Sequence, residues 1–146
     1  MKPSTTAFAA EEAYERPTEV QGLRVLIVDD DEDTRDILEM ILTDAGAVVA
    51  CADSVNRAFE LLVSARPQII ISDIDMPFEN GHSFLRNLRS VLDEDGGQTP
   101  AIALTGCTSA EDRARVLASG FNLHLAKPTT SGAVLRALAD IARTLG

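Results

Sequence analysis

Four polar clusters, each at the end of a short apolar run, carry residue types that can do chemistry together: Asp29-Asp30-Asp31-Glu32-Asp33, Ser72-Asp73-Ile74-Asp75, Thr105-Gly106 and Lys127-Pro128. Asp29, Asp30 and Asp73 brought together would repel one another and raise at least one pKa unless a cation intervened. A hard divalent ion with oxygen ligands meets that need, and Mg2+ typically takes one or two carboxylates while keeping several waters. Those water positions leave room for a phosphoryl group. A carboxylate can attack phosphorus to give an aspartyl phosphate. Such a transfer needs positioning and charge stabilisation more than covalent chemistry. Lys127 supplies an ammonium and Thr105 a hydroxyl donor, so the set meets the requirements of phosphoryl transfer to a carboxylate.

Taken singly, the same residues have plainer readings. Asp31, Glu32 and Asp33 suit the N-cap and first turn of a helix. Asp29 and Asp30 alone could sit in a solvated loop, and Asp73 alone could be a turn residue. Thr105 could satisfy its own strand end, and Lys127 could be a surface charge. What favours a shared site is that all of them fall at the ends of apolar runs. Cys51 and Cys107 read as ordinary small residues rather than reactive thiols. His82 reads as a surface residue at a helix start.

For such residues to meet, the elements must deliver them to one place. Apolar runs at residues 23–28, 48–52, 69–71, 101–104 and 123–126 are short and rich in Val, Ile and Leu. That suits strands buried on both faces of a parallel sheet. Between them lie five helical stripes: Ile37, Leu38, Ile41, Leu42 and Ala45, ended by Gly46; Val55, Ala58, Phe59 and Leu62, stopped before Pro67; Phe84, Leu85, Leu88, Val91 and Leu92; Ala110, Ala114 and Leu117, closed by Gly120; and Leu135, Leu138, Ile141, Ala142 and Leu145. Five strands alternating with five helices predict an α/β fold with helices on both faces of the sheet. In such sheets ligands bind beyond the C-terminal ends of the strands. The second run is followed only by Asp53 and Ser54, as expected of an edge strand.

Composition narrows the field. The chain of 146 residues carries 13 basic and 23 acidic side chains, a net charge of −10. An acidic chain with pI near 4.5 argues against binding nucleic acid through its own field. No apolar run approaches the roughly 18 residues of a membrane span, and the N-terminus lacks the layout of a signal peptide. Two cysteines are too few for a disulfide scaffold. A reduced, cytoplasmic protein is expected. Residues 1–22 show no sustained periodicity and read as a mobile leader, with one domain over residues 23–146.

Over residues 23–146 the sequence resembles the receiver domain of two-component response regulators, in its single-domain, chemotaxis-receiver-like form. The segments that carry the likeness are Val25-Leu26-Ile27-Val28-Asp29-Asp30-Asp31-Glu32, then Ile70-Ile71-Ser72-Asp73-Ile74-Asp75-Met76-Pro77 with Gly81 after it, then Ala103-Leu104-Thr105-Gly106, and Lys127-Pro128. The resemblance implies a doubly wound, flavodoxin-like five-stranded parallel sheet of order 2-1-3-4-5 with five helices. It implies Asp73 as phosphoacceptor, fed by a phosphohistidine on a histidine kinase or histidine phosphotransfer protein, with Mg2+ as cofactor. Asp29, Asp30, Asp73 and the backbone carbonyl of Asp75 would hold the ion, Asp30 directly and Asp29 often through water. Lys127 would pair with the phosphoryl oxygens, Thr105 would swing to hydrogen-bond them, and the Lys127–Pro128 bond would be cis.

The sequence also departs from the family pattern. His124 stands where the switch residue is usually Tyr or Phe; imidazole can rotate into space that Thr105 vacates, but it is polar and titratable. Thr129 replaces the aromatic residue often found after Lys-Pro, and Gly106 stands where Ala or Ser is common. Asp75 and Cys107 occupy positions that tune phosphoryl lifetime. With the fifth helix reaching Leu145, output is expected to be contact with a downstream protein, through the face of the fourth helix, fifth strand and fifth helix. Catalysis is expected to be limited to the domain's own phosphorylation and dephosphorylation. Three alternatives stand beside this reading. A haloacid dehalogenase type phosphatase would use Asp73-Ile74-Asp75, but Pro77 and the missing cap segment speak against it. A flavodoxin-like FMN binder needs a Ser/Thr/Gly phosphate loop where Asp29 to Asp33 stand. A receiver-like scaffold independent of phosphorylation would not need Asp30, Asp73, Thr105 and Lys127 together.

Overall fold

The computed structural model describes residues 18–76, 81–91, 94, 96–106, 109–127 and 129–145. Strands β1 (Arg24–Val28), β2 (Val48–Ala52), β3 (Ile69–Asp73), β4 (Ala101–Thr105) and β5 (Leu123–Ala126) alternate with helices α1 (Glu32–Asp44), α2 (Val55–Ser64), α3 (Gly81–Arg89), α4 (Ala110–Ala118) and α5 (Ser131–Leu145). All neighbouring strands are parallel, and their order is β2-β1-β3-β4-β5. Parallel strands need crossovers, and here each crossover is a helix.

The continuous apolar runs are explained by cover on both faces. Along β1, Val25 and Ile27 join Leu38, Leu42 and Leu138 on one side. Leu26 and Val28 point the other way, toward Ala58, Leu62, Phe84, Leu88 and Val116. Strand alternation with both faces buried leaves no polar position in the middle of the sheet. Each such side chain contributes about 1.5–3 kcal/mol on burial. The central strands β3 and β4 are buried throughout, whereas the edge strands β2 and β5 are only partly covered.

Helix ends follow local chemistry. Asp31 caps α1 by accepting from the Thr34 N–H. Gly46, with φ +95°, reverses the chain after α1 in a conformation only glycine takes freely.

Several expectations need correction. Strands β3 and β4 run past their apolar runs at residues 69–71 and 101–104, so that Asp73 and Thr105 are their last residues. The predicted α4 stripe is wrong: Ala110, Ala114 and Leu117 are exposed, and Val116 alone in the helix is buried. Helix α3 stops at Arg89, leaving Val91 in a following turn; Leu92 lies outside the described residues. In α5, Leu145 is exposed while Val134 and Ala137 are buried.

The proposed leader over residues 1–22 also overshoots. Thr18–Val20 forms a short 3-10 turn, and Val20 is fully buried in the core on the α1 and α5 side. Glu19 Oε2 lies 3.2 Å from Arg143 Nη1 near the end of α5. A lone valine between Glu19 and Gln21 shows no periodicity, so its burial was invisible in the sequence. Residues 1–17 lie outside the described residues.

Candidate functional site

The five acids after β1 divide between two tasks. Asp29 extends the β1–β2 pairing, its N–H donating to Ala52 O at 3.1 Å. Its side chain is fully buried, and its Oδ1 accepts the Asp31 N–H at 2.9 Å. Burial pushes the Asp29 carboxyl above the usual range, and the charge of Asp73 adds to the rise against the pull of the Asp31 N–H and Lys127. Asp30 is exposed. Asp31 turns to the helix instead, its Oδ2 accepting from Thr34 Oγ1 at 2.6 Å. Glu32 and Asp33 occupy the first turn of α1, where the helix dipole favours them.

Asp73 ends β3 almost wholly buried, at 3% exposure. The exposed Asp75 donates its N–H to Asp73 Oδ1 at 3.1 Å. Gly81, opening α3, donates its N–H to Ile74 O at 2.9 Å. A Cβ there would stand 2.6 Å from Asp73 O and 2.9 Å from Ile74 Cα, so only glycine fits this approach.

Lys127, directly after β5, reaches both buried acids. Its Nζ lies 3.3 Å from Asp29 Oδ2 and 3.3 Å from Asp73 Oδ1. Burial draws its pKa down, but the two carboxylates outweigh this and hold it above the ordinary value. The Lys127 N–H donates to Thr105 O at 2.9 Å, tying the ends of β4 and β5 together. Thr105 is buried at the last position of β4, in register with Ala126. His124 is half-buried on β5, in register with Ala103.

Carboxylate oxygens of Asp29, Asp30 and Asp73 all lie within 4.8 Å of one another. Three carboxylates face one ammonium, and every donor is a hard oxygen. That set fits a divalent cation of the Mg2+ type, with exposed Asp30 on the open side.

The structure thus brings together Asp29, Asp30, Asp73 and Lys127, with Thr105 adjacent through its backbone. Pro128, and with it the geometry of the Lys127–Pro128 bond, lies outside the described residues, as do Pro77 and Cys107. Cys51 fits the inert reading: burial first, then the nearby Glu39 carboxylate, pushes its thiol up to about 11. His82 stands at the start of α3 as expected, but it is half-buried, with its Nδ1 2.6 Å from Ser119 Oγ at the end of α4. Sequence reasoning also missed Arg35, whose Nη1 donates to Asp29 O at 2.8 Å. Its one visible signal was being a lone base in an acidic helix.

The sequence profile of the response regulator receiver domain matches residues 25–139. The chain belongs to that family. A protein of 14.6 kDa from Leptolyngbya boryana, itself uncharacterised, is 42% identical over 104 residues, covering 71% of this chain and 78% of that protein. Hybrid signal transduction histidine kinase D of Dictyostelium discoideum is 38% identical over 113 residues; the match takes in 73% of this chain and 7% of the kinase. Among solved structures, the Vibrio cholerae chemotaxis protein CheY4 is similar at TM-score 0.75 and 32% identity, over 82% of this chain and 98% of that one. The receiver domain of sensor histidine kinase PA1611 from Pseudomonas aeruginosa is similar at TM-score 0.74 and 29% identity, over 84% of this chain and 98% of that one, and its structure has a magnesium ion coordinated in the active site cleft.

Membership in the receiver family leaves the dehalogenase-type phosphatase and the FMN binder without support. No helix among the described residues of this receiver domain is long and apolar enough to cross a membrane.

Proposed function

We propose that this receiver domain accepts a phosphoryl group on Asp73 from a phosphohistidine donor, with Mg2+ as cofactor, and so switches a protein-binding face in a phosphorelay. The observation that carries the reading is the meeting of buried Asp73 with Lys127 at 3.3 Å and with Asp29 and Asp30 within 4.8 Å. The donor is a histidine kinase or histidine phosphotransfer protein in the cytoplasm, and the output is a downstream protein target.

Both protein contacts to the Asp73 carboxylate fall on Oδ1. That leaves Oδ2 as the oxygen that attacks phosphorus. The new O–P bond forms as the donor's N–P bond breaks, and the electron pair leaves with the imidazole. Asp29, Asp30, Asp73 and the Asp75 carbonyl would hold Mg2+, which when bound offsets the charge of the phosphoryl oxygens. Lys127 pairs with one of those oxygens by leaving its bridge between Asp29 and Asp73. Thr105 supplies a hydroxyl to another. Its movement opens room beside β5, and His124 is the side chain there that can follow, biasing the face of α4, β5 and α5. The only catalysis is the domain's own phosphorylation and dephosphorylation.

The test is incubation with acetyl phosphate and Mg2+, read by intact mass. Wild type is expected to gain one phosphoryl group and Asp73→Asn none. A wild type that stays unmodified, together with retained partner binding, would replace this reading with the phosphorylation-independent scaffold.

A further inference from the structure

Helix α1 carries five acids and a single base, Arg35. A lone arginine among acids three and four residues away would ordinarily pair with them. Arg35 forms no ion pair with them among the described residues. It turns inward instead, and Nη1 donates to the carbonyl of Asp29, six residues back, at 2.8 Å. Asp29 is then held at four points. Its N–H bonds Ala52 O at 3.1 Å, its carbonyl is held by Arg35, Oδ1 by the Asp31 N–H, and Oδ2 by Lys127.

The carbonyl that Arg35 holds belongs to the peptide linking Asp29 to Asp30. That peptide is planar, so fixing its oxygen fixes the plane from which the Asp30 Cα departs. Asp30 needs this help. Its side chain is exposed, with no hydrogen bond or ion pair of its own among the described residues, yet an oxygen of it must sit within 4.8 Å of two buried carboxylates. Its aim is therefore set by the backbone beneath it.

We propose that Arg35 is a positioning residue for the cation site, aiming the Asp30 carboxylate through the Asp29 carbonyl. This rests on the Mg2+-dependent reading above. Geometry and charge make opposite predictions here. A fixed positive charge beside a cation site competes with the ion, so an Arg35 that acted only through charge would weaken binding, and its loss would tighten it. An Arg35 that aims a ligand strengthens binding, and its loss weakens it.

The experiment measures Mg2+ affinity by calorimetry, with Mn2+ by electron paramagnetic resonance as a second probe. It compares wild type, Arg35→Ala, Arg35→Lys and the charge control Arg57→Ala, an exposed base paired with Glu60 on α2. Arg35→Ala is expected to bind roughly 10- to 100-fold more weakly, the usual cost of losing a residue that orients a ligand. Arg35→Lys keeps a donor and the charge and should recover most of the loss; Arg57→Ala should match wild type. With acetyl phosphate, the loss should fall on the half-saturating Mg2+ concentration rather than on the saturated rate. Unchanged or tighter binding by Arg35→Ala overturns the proposal. Should that variant not fold, Arg35→Gln is judged by the same criteria. A wild type with no saturable Mg2+ binding would instead sink the underlying functional reading.

Discussion

Where β4 and β5 begin, the half-buried guanidinium of Arg89 donates to Gly97 O at 3.1 Å, Thr99 O at 2.6 Å, Gly120 O at 2.8 Å and Asn122 Oδ1 at 3.3 Å. Where the strands end, Asp29 and Asp73 share one ammonium, with Asp30 beside them. Both regions take charge out of water. At the first, every partner is neutral and every N–H direction is used, so nothing is left to react, and burial lowers the Arg89 pKa. At the second, like charges outnumber the cation, and only something from outside can settle them. One end ties the α3, β4 and β5 connections together, and the other holds a charge imbalance that a ligand can relieve.

The largest expected break in this contrast is Arg89→Ala. It strips donors from three backbone carbonyls and should cost about 3 kcal/mol in urea denaturation. Acetyl phosphate labelling of the folded protein should be unaffected; impaired labelling would mean that the two ends are not separable. Next comes the ion. Mg2+ at 100 times its dissociation constant should raise stability by about 2.7 kcal/mol, reversed by chelator and absent in Asp30→Asn. An equal rise in that variant would place the bound ion elsewhere.

Gly81→Ala should cost about 2 kcal/mol by overpacking, because its Cβ would meet Asp73 O at 2.6 Å. Unlike Arg89→Ala it should also slow labelling, since the strain falls on the acceptor's own backbone; normal labelling would argue that β3 absorbs the push elsewhere. The smallest effect is at His82. Burial first, then Arg115 and Arg86, hold its pKa below the ordinary value. The unfolded chain therefore takes up the proton first as pH falls, and stability should decline from about pH 7 downward through the region near 6.5. His82→Gln should flatten that slope in paired denaturation curves, and an unchanged slope would assign it to other groups.

Much of the sheet was legible, because a strand covered on both faces must be apolar throughout. Residues 48–52 and 123–126 match β2 and β5 residue for residue. The acids and Lys127 could be picked out because an apolar pattern stops abruptly at each of them. Helix α4 was misread because it buries a single side chain, Val116, and one residue makes no stripe. Arg35, His82 and Arg89 escaped for a different reason. Arg35 and Arg89 bond backbone oxygens that every residue owns, and the Ser119 hydroxyl that meets His82 is equally plain in sequence; only folding shows which of these lies within reach. The closeness of Lys127 to Asp29, 98 residues apart, is of the same kind.

Val20 in the core and the pairing of Glu19 with Arg143 put the first described turn against the last helix, across 124 residues of sequence. Asp29, by contrast, lies beyond the far end of β1, on the side where the strands finish. A polypeptide can therefore enter and leave this unit side by side, at the pole opposite the reactive carboxylates. Such a unit can be spliced into a larger chain with joins at residues 18 and 145 that stay clear of the mouth of the site.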